Sequence, residues 1–332
     1  MQADSPIFAP MKNILLLISI LHFGFTSAFA QATEAEPAIR SISIDTLKGW
    51  KTGGLLGISI SQASFTNWAA GGQNTIALGG IANLYAKYYN EHSAWENMLD
   101  LGYGLLKQGK DAEFIKTDDK VDFTSKYGRK VSAKWNYAGL VNFKTQMTAG
   151  YNYPNDSLKI SDLLAPAYVL AALGMDYKAN EKFTAFIAPI TSKNTLVHNT
   201  ALANAGAFGV EAAVYDSEGN ILTPGKKSRS EVGGYLRVLY RQTFFKDKSV
   251  SVTSKLDLFS NYKNNPQNID VSWETIIGLK VNKFITTTIT THLIYDDDIT
   301  VSIDSNNDGV IDDSGPRTQF KEVIGVGFNL KF

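Results

Sequence analysis

Between Phe320 and Phe332 the side chains alternate in character. Phe320, Ile324, Val326, Phe328, Leu330 and Phe332 share one parity, broken by Glu322; Lys321, Gly325, Gly327, Asn329 and Lys331 share the other, with Val323 as the exception. A strand sends successive side chains to opposite faces. This stretch therefore has one apolar face and one small or polar face. It fits a sheet edge in water, or a strand with lipid on one side and a wet lumen on the other. The sequence stops on an aromatic residue within the pattern, where a polar, frayed tail is more usual.

The same two-residue period recurs along the chain, with turn signals between the runs. The segments Leu56–Ser64, Thr75–Tyr89, Trp95–Lys107, Lys120–Gly128, Trp135–Tyr151, Ala167–Tyr177, Phe183–Ile190, Glu231–Phe244, Val250–Tyr262, Asp270–Val281, Ile285–Tyr295 and Phe320–Phe332 read as strands. That is about twelve, an even count that suits an antiparallel up-and-down barrel. Short and long connections alternate. The tight turns are Asn90–Ser93, Lys178–Lys182, Lys246–Lys248 and Asn282–Lys283, and the longest loop is Thr191–Ser230. Outer-membrane barrels place short turns at the periplasmic end and long loops outside. Trp95, Trp135, Tyr137, Tyr151, Tyr240, Tyr262, Trp273, Tyr295 and Phe332 fall near strand ends, where a lipid–water boundary collects amphipathic rings. Together these features predict an all-β, single-domain transmembrane barrel.

Composition removes other classes. There is no cysteine, hence no disulfide, thiolate metal site or Cys nucleophile. Thirty-two basic residues balance 32 acidic ones, so no charge field points to nucleic acid. Mean hydropathy is -0.11, too polar for a helical membrane protein. Near the start, Met11-Lys12-Asn13, the apolar run Ile14–Phe25 and Ala28-Phe29-Ala30 read as the three regions of a secretory signal peptide. The expected division is residues 1–30 as pre-sequence and signal, 31–50 as a periplasmic leader, and 51–332 as the barrel.

By parity, Asp100, Asp122, Lys126, Lys144, Arg237, Arg241, Lys255, Asp257, Glu274 and Lys280 face the lumen. They either line a pore and set its selectivity or cross-link a closed interior. Their mixed sign argues against a strong preference for cations or anions. Asn67, Trp68, Gly71 and Gly72 stand in the first long connection; Trp68 is a stacking platform or a plug, and the glycines allow close backbone approach. Asp304, Asn306, Asp308, Val310 and Asp312 take positions 1, 3, 5, 7 and 9 of an EF-hand-like loop, with Gly309 at the sharp turn. Position 12 is Gly315 where a bidentate Glu belongs. The site is a weak Ca²⁺ loop, of ~10⁻⁴–10⁻³ M, or a polar hairpin tip. His292 faces inward, and no spacing ties Ser251, Ser254 or Ser272 to it as a nucleophile. The apolar run Leu202–Asp216 is expected to fold inward as a lid or constriction.

Gly49–Gly80, and above all the run Ser61–Gly72 (SQASFTNWAAGG), resembles a family of Bacteroidetes outer-membrane proteins of unassigned function. The resemblance implies a barrel and an outer-membrane address; it carries no reaction and no catalytic residues. Phe328, Leu330 and Phe332 resemble the signal read by the barrel assembly machinery. The expected function is a narrow channel or small-molecule uptake pore. Alternatives are a plugged structural or surface-binding barrel and, third, a lipid-modifying enzyme. The expected partners are outer-membrane lipids, that machinery and small solutes.

Overall fold

A computed structural model describes residues 48–65, 73–153, 155–246, 248–282, 285–303 and 312–331. Twelve antiparallel strands close into one barrel. They are β1 (Gly49–Ala63), β2 (Thr75–Tyr89), β3 (Ser93–Gln108), β4 (Ile115–Lys130), β5 (Trp135–Thr145) and β6 (Ala167–Lys178), followed by β7 (Phe183–Leu196), β8 (Ser228–Phe244), β9 (Val250–Asn261), β10 (Ile269–Lys280), β11 (Ile285–Tyr295) and β12 (Gln319–Lys331). Each pairs with its neighbours in sequence, and β12 returns to β1 through Leu55↔Lys331 to Ile58↔Phe328. This seam joins the first strand to the last through four residue pairs, and a barrel closed in this way avoids the free sheet edge that hydrocarbon would not tolerate.

The alternation decides which face is which. On β1, Ile58 and Ile60 point outward at 65% and 66% exposure, whereas Leu55 and Ser59 point in at 1% and 2%. On β12, Phe320, Ile324, Val326, Phe328 and Leu330 are all exposed on the outer surface. A ring of aromatics marks the short-turn end: Trp50 packs against Tyr88 at 5.5 Å and Trp95 at 5.7 Å, and Trp135 against Tyr177 at 4.7 Å. Tyr262 and Trp273 are exposed towards the other end. Among the described residues, no helix is long and apolar enough to cross a membrane.

Several strand boundaries differ from the sequence expectation, and for β5 and β7 the local reason is visible. β5 stops at Thr145 instead of Tyr151. The Asp119 carboxylate accepts the backbone N–H of Met147 at 2.7 Å and of Thr148 at 2.9 Å, which draws the chain off the ladder. Tyr151 then sits in a loop hairpin, Gly150–Asn152 with Asn155–Ser161. β7 runs on to Leu196 past Pro189, where the sequence reading ends it at Ile190. A proline donates nothing to a ladder and is tolerated at a bulge; both neighbours shift register here, between Leu173 and Met175 and between Gly233 and Tyr235. The skipped residues, Gly174 and Gly234, bring no side chain to the crowded bulge. β4 begins at Ile115 rather than Lys120, and β1 at Gly49 rather than Leu56.

The short turns lie at residues 90–92, 131–134, 179–182, 245–249 and 281–284, and the long connections at 64–74, 109–114, 146–166, 197–227, 262–268 and 296–318. The loop 197–227 holds a short helix α1 (Thr200–Asn204), the turn Ala207–Gly209 and a two-stranded hairpin. Within 296–318, Thr300–Ile303 pairs antiparallel with Asp313–Pro316.

Candidate functional site

The inner wall is polar and paired. At mid-height, Arg237 on β8 donates to Asp257 on β9 through Nε at 2.6 Å and Nη2 at 3.1 Å. The Tyr235 hydroxyl donates to the same carboxylate at 2.7 Å. Beside it, Lys255 meets Glu274 at 3.0 Å. On the facing wall Asn142 donates to Asp122 at 2.6 Å, Lys144 lies 4.0 Å from Asp122, and Asn83 donates to Asp100 at 2.8 Å. An apolar cluster of Leu140, Phe186, Tyr235 and Phe259 fills the side between β5 and β9.

Among the described residues, an ion pair joins strands on opposite sides of the ring. Lys120 on β4 reaches Glu274 on β10 at 3.3 Å, and those strands stand six apart in the ring of twelve, on opposite sides of the lumen. Nearer the short turns, Lys126 pairs with Asp176 at 2.9 Å, and Lys178 lies 3.8 Å from Glu96. The barrel is narrow enough for its walls to be laced together by side chains.

The two ends differ. At the long-loop end, Val197, Leu202, Ala203 and Val210 bury against Ala165 of the loop 146–166. Asn199 caps α1, its Oδ1 accepting from Ala201 N at 3.0 Å and Leu202 N at 3.2 Å, while its Nδ2 donates to Asp162 at 3.0 Å. The hydrogen bond from Lys159, with that from Asn199, holds the Asp162 carboxyl below the ordinary carboxylate range. Arg229 ties the turn to the rim: it donates to the Gly209 carbonyl at 3.2 Å and pairs with Glu231 at 2.7 Å and with Asp298. Lys193 joins Asp270 at 2.6 Å to Asp296 at 3.0 Å. Three long loops are thus bound into one cap. The short-turn end instead opens into a vestibule of about 390 Å³, continuous through shared lining residues with an inner chamber of about 80 Å³.

Of the residues singled out by parity, Asp100, Asp122, Lys126, Arg237, Arg241 and Lys255 line the inner chamber. Lys144, Asp257 and Glu274 stand on the inner surface in the pairs described, and Lys280 lies exposed at the short-turn end of β10. Asn67, Trp68, Gly71, Gly72, Asp304, Asn306, Asp308, Val310 and Phe332 lie outside the described residues, as do residues 1–47 with the proposed signal. Asp312 is described, directly before the short strand Asp313–Pro316. No group of three or more His, Asp or Glu side chains suited to a metal occurs among the described residues. The run 202–216 folds as part of the outer cap, with α1 and its turn.

Sequence reasoning missed two features. Lys193 and Asp176 are central to the pairing; Asp176 was legible from the parity of β6, Lys193 only if β7 were carried past its proline. Spacing linked no serine to His292, yet Ser272 Oγ lies 3.0 Å from His292 Nε2, with Glu274 directly across the ladder from His292. The diagonal between β10 and β11 depends on register, which the hydrophobic pattern fixes only once both strands are aligned.

Residues 60–151 match the profile of a family described as a protein of unknown function (DUF3078). No curated protein matches. An outer membrane channel from Pseudomonas putida F1 is similar at 12% identity and a TM-score of 0.38, covering 86% of this chain and 96% of that one. The translocator domain of the autotransporter NalP from Neisseria meningitidis is similar at 7% and 0.30, covering 86% and 90%. OprB of Pseudomonas putida is similar at 8% and 0.30, covering 85% and 94%. The closed barrel itself rests on this chain's own strand pairing.

Proposed function

We propose that this chain is an outer-membrane β-barrel that acts as a narrow channel for small solutes, with a constriction made by ion pairs across its lumen. The outward apolar strand faces and the aromatic rings support a lipid surround. Phe328 and Leu330, exposed on β12, are where assembly machinery would read the closing strand. The observation that carries the channel reading is the Lys120–Glu274 contact between opposite walls, with Glu274 also paired to Lys255 of the charged inner chamber that adjoins the vestibule. Such a bridge narrows the path to whatever can pass between or displace two side chains. It is not a packed hydrophobic plug.

A plugged, surface-binding barrel is the second reading, favoured by the cap that loops 146–166 and 197–227 build at the other end. Planar-bilayer recording separates them. The channel reading expects small, steady currents that rise at least several-fold in Lys120→Ala/Glu274→Ala, and rise again on deleting residues 201–219. Silence in all three proteins would refute it in favour of the plugged barrel. An enzymatic role would require lipid hydrolysis lost in both Ser272→Ala and His292→Ala.

A further inference from the structure

We infer that the vestibule at the short-turn end is a binding site for a small molecule carrying two or more oxyanion groups, carboxylate or phosphate. The inference rests on the barrel alone and does not require current to pass.

Its volume, about 390 Å³, falls in the range of sites for small ligands, roughly 300–1,000 Å³. Five cations and three carboxylates line it. Two of those carboxylates have cationic partners. Glu91 pairs with Lys48. Glu96 has Lys126 and Lys178 each at 3.8 Å and accepts from the Tyr89 hydroxyl at 3.1 Å. Lys126 in turn is shared with Asp176 at 2.9 Å. On the cationic side, Lys130 and Lys134 flank the 131–134 turn, line the cavity, and have no carboxylate partner among the described residues. Glu181, exposed on a third turn, is the lining carboxylate that would oppose an anion.

The neutral polar groups are turned the same way by the turns themselves. Asn90 spends its side-chain oxygen on the N–H groups of His92 at 2.9 Å and Ser93 at 2.7 Å. Asn180 does the same for Lys182 at 2.8 Å and Phe183 at 3.0 Å. The Ser132 oxygen accepts from Trp135 N at 3.2 Å. With those acceptors occupied, what the three side chains offer the cavity is N–H and O–H. Donors from three separate turns therefore surround one ligand-sized space, and two of the cations among them lack a counter-charge. Charge-assisted hydrogen bonds to oxyanions are the contacts such a set makes best.

Calorimetry on the full barrel in a zwitterionic detergent at low salt tests this, with citrate and pyrophosphate as separate probes. The expected result is saturable binding of at least one probe. Binding should weaken at least tenfold in Lys130→Gln/Lys134→Gln, stay equal or tighten in Glu181→Gln, and remain unchanged in the cap variant Lys159→Gln/Lys226→Gln. Binding of citrate only assigns a carboxylate ligand, and of pyrophosphate only a phosphate ligand. Absence of saturable heat with both probes, or equal weakening by the cap variant, overturns the inference. Heat-modifiable gel migration confirms that each variant is folded. A silent bilayer with intact binding would sink the channel and leave this site standing.

Discussion

Removing the Asp257 carboxylate tests whether the inner wall is a dry cross-link or a wetted surface. Asp257 and Arg237 are 8% and 15% exposed at their side chains, and the carboxylate accepts from Arg237 twice and from Tyr235 once. Tyr235 itself belongs to the apolar cluster that holds Phe186 and Phe259. Asp257→Ala leaves the guanidinium on the inner wall without its counter-ion. Breaking a buried pair in this way costs ~3–5 kcal/mol, whereas exchanging both partners for apolar residues of similar size is near neutral or stabilising. The triple variant Asp257→Leu/Arg237→Met/Tyr235→Phe, which also removes the orphaned hydroxyl, should therefore recover most of the loss. Urea unfolding of the barrel in detergent micelles, followed by tryptophan fluorescence and gel migration, measures both. A cost below ~1 kcal/mol for Asp257→Ala would be the value of an exposed, screened pair. That result would refute the dry cross-link and mean that water fills the lumen to the wall. Equal losses in the single and triple variants would refute the pairing itself.

Two further substitutions probe the backbone and the loops. A Cβ on Gly174 would collide with the Ile187 carbonyl and stand 2.6 Å from Ala188 Cα, whereas one on Gly80 would meet nothing within 4 Å; overpacking costs typically ~1–3 kcal/mol, so Gly174→Ala should lower the urea midpoint visibly and Gly80→Ala should leave it in place. The EF-hand-like run Asp304–Asp312 predicts a Ca²⁺ binding heat with a dissociation constant of ~10⁻⁴–10⁻³ M, lost in Asp304→Ala; calorimetry with no Ca²⁺ heat, or with heat unchanged in the variant, would leave that run a hairpin tip.

The barrel was legible because its chemistry repeats. β2 and β11 match their predicted bounds to the residue, since each is a long alternating run between clear turn signals. What stayed hidden is three-dimensional bookkeeping between distant residues. The extension of β7 past Pro189 depends on Gly174 and Gly234, which belong to other strands. The end of β5 is set by Asp119, on the neighbouring strand β4. Parity placed Glu274 and Asp257 on the inner face, but no periodicity tells that Lys120 spans to the opposite wall. That contact follows from strand number and lumen width together. The donor character of the vestibule was equally hidden, because Asn90, Ser132 and Asn180 look like ordinary turn residues until their acceptors are counted.

The asymmetry of the two ends follows from connection length. A turn such as 131–134 or 179–182 has no residues to spare for crossing a barrel mouth, so the short-turn end stays open by construction. The 31 residues of 197–227 can fold over the other mouth, and they do so with their own small core and with Arg229 fastened to Asp298. A solute entering from the open side meets the uncompensated Lys130 and Lys134 first, then the balanced Lys126–Asp176 pair, and last the Lys120–Glu274 bridge. Among the described residues, charge is thus least compensated in the wide vestibule and paired further in, at 2.9 Å in Lys126–Asp176 and at 3.3 Å across the lumen. On the channel reading proposed above, that order would favour holding an anion in the vestibule over passing it quickly, and the Lys120–Glu274 bridge would be the last barrier on the path.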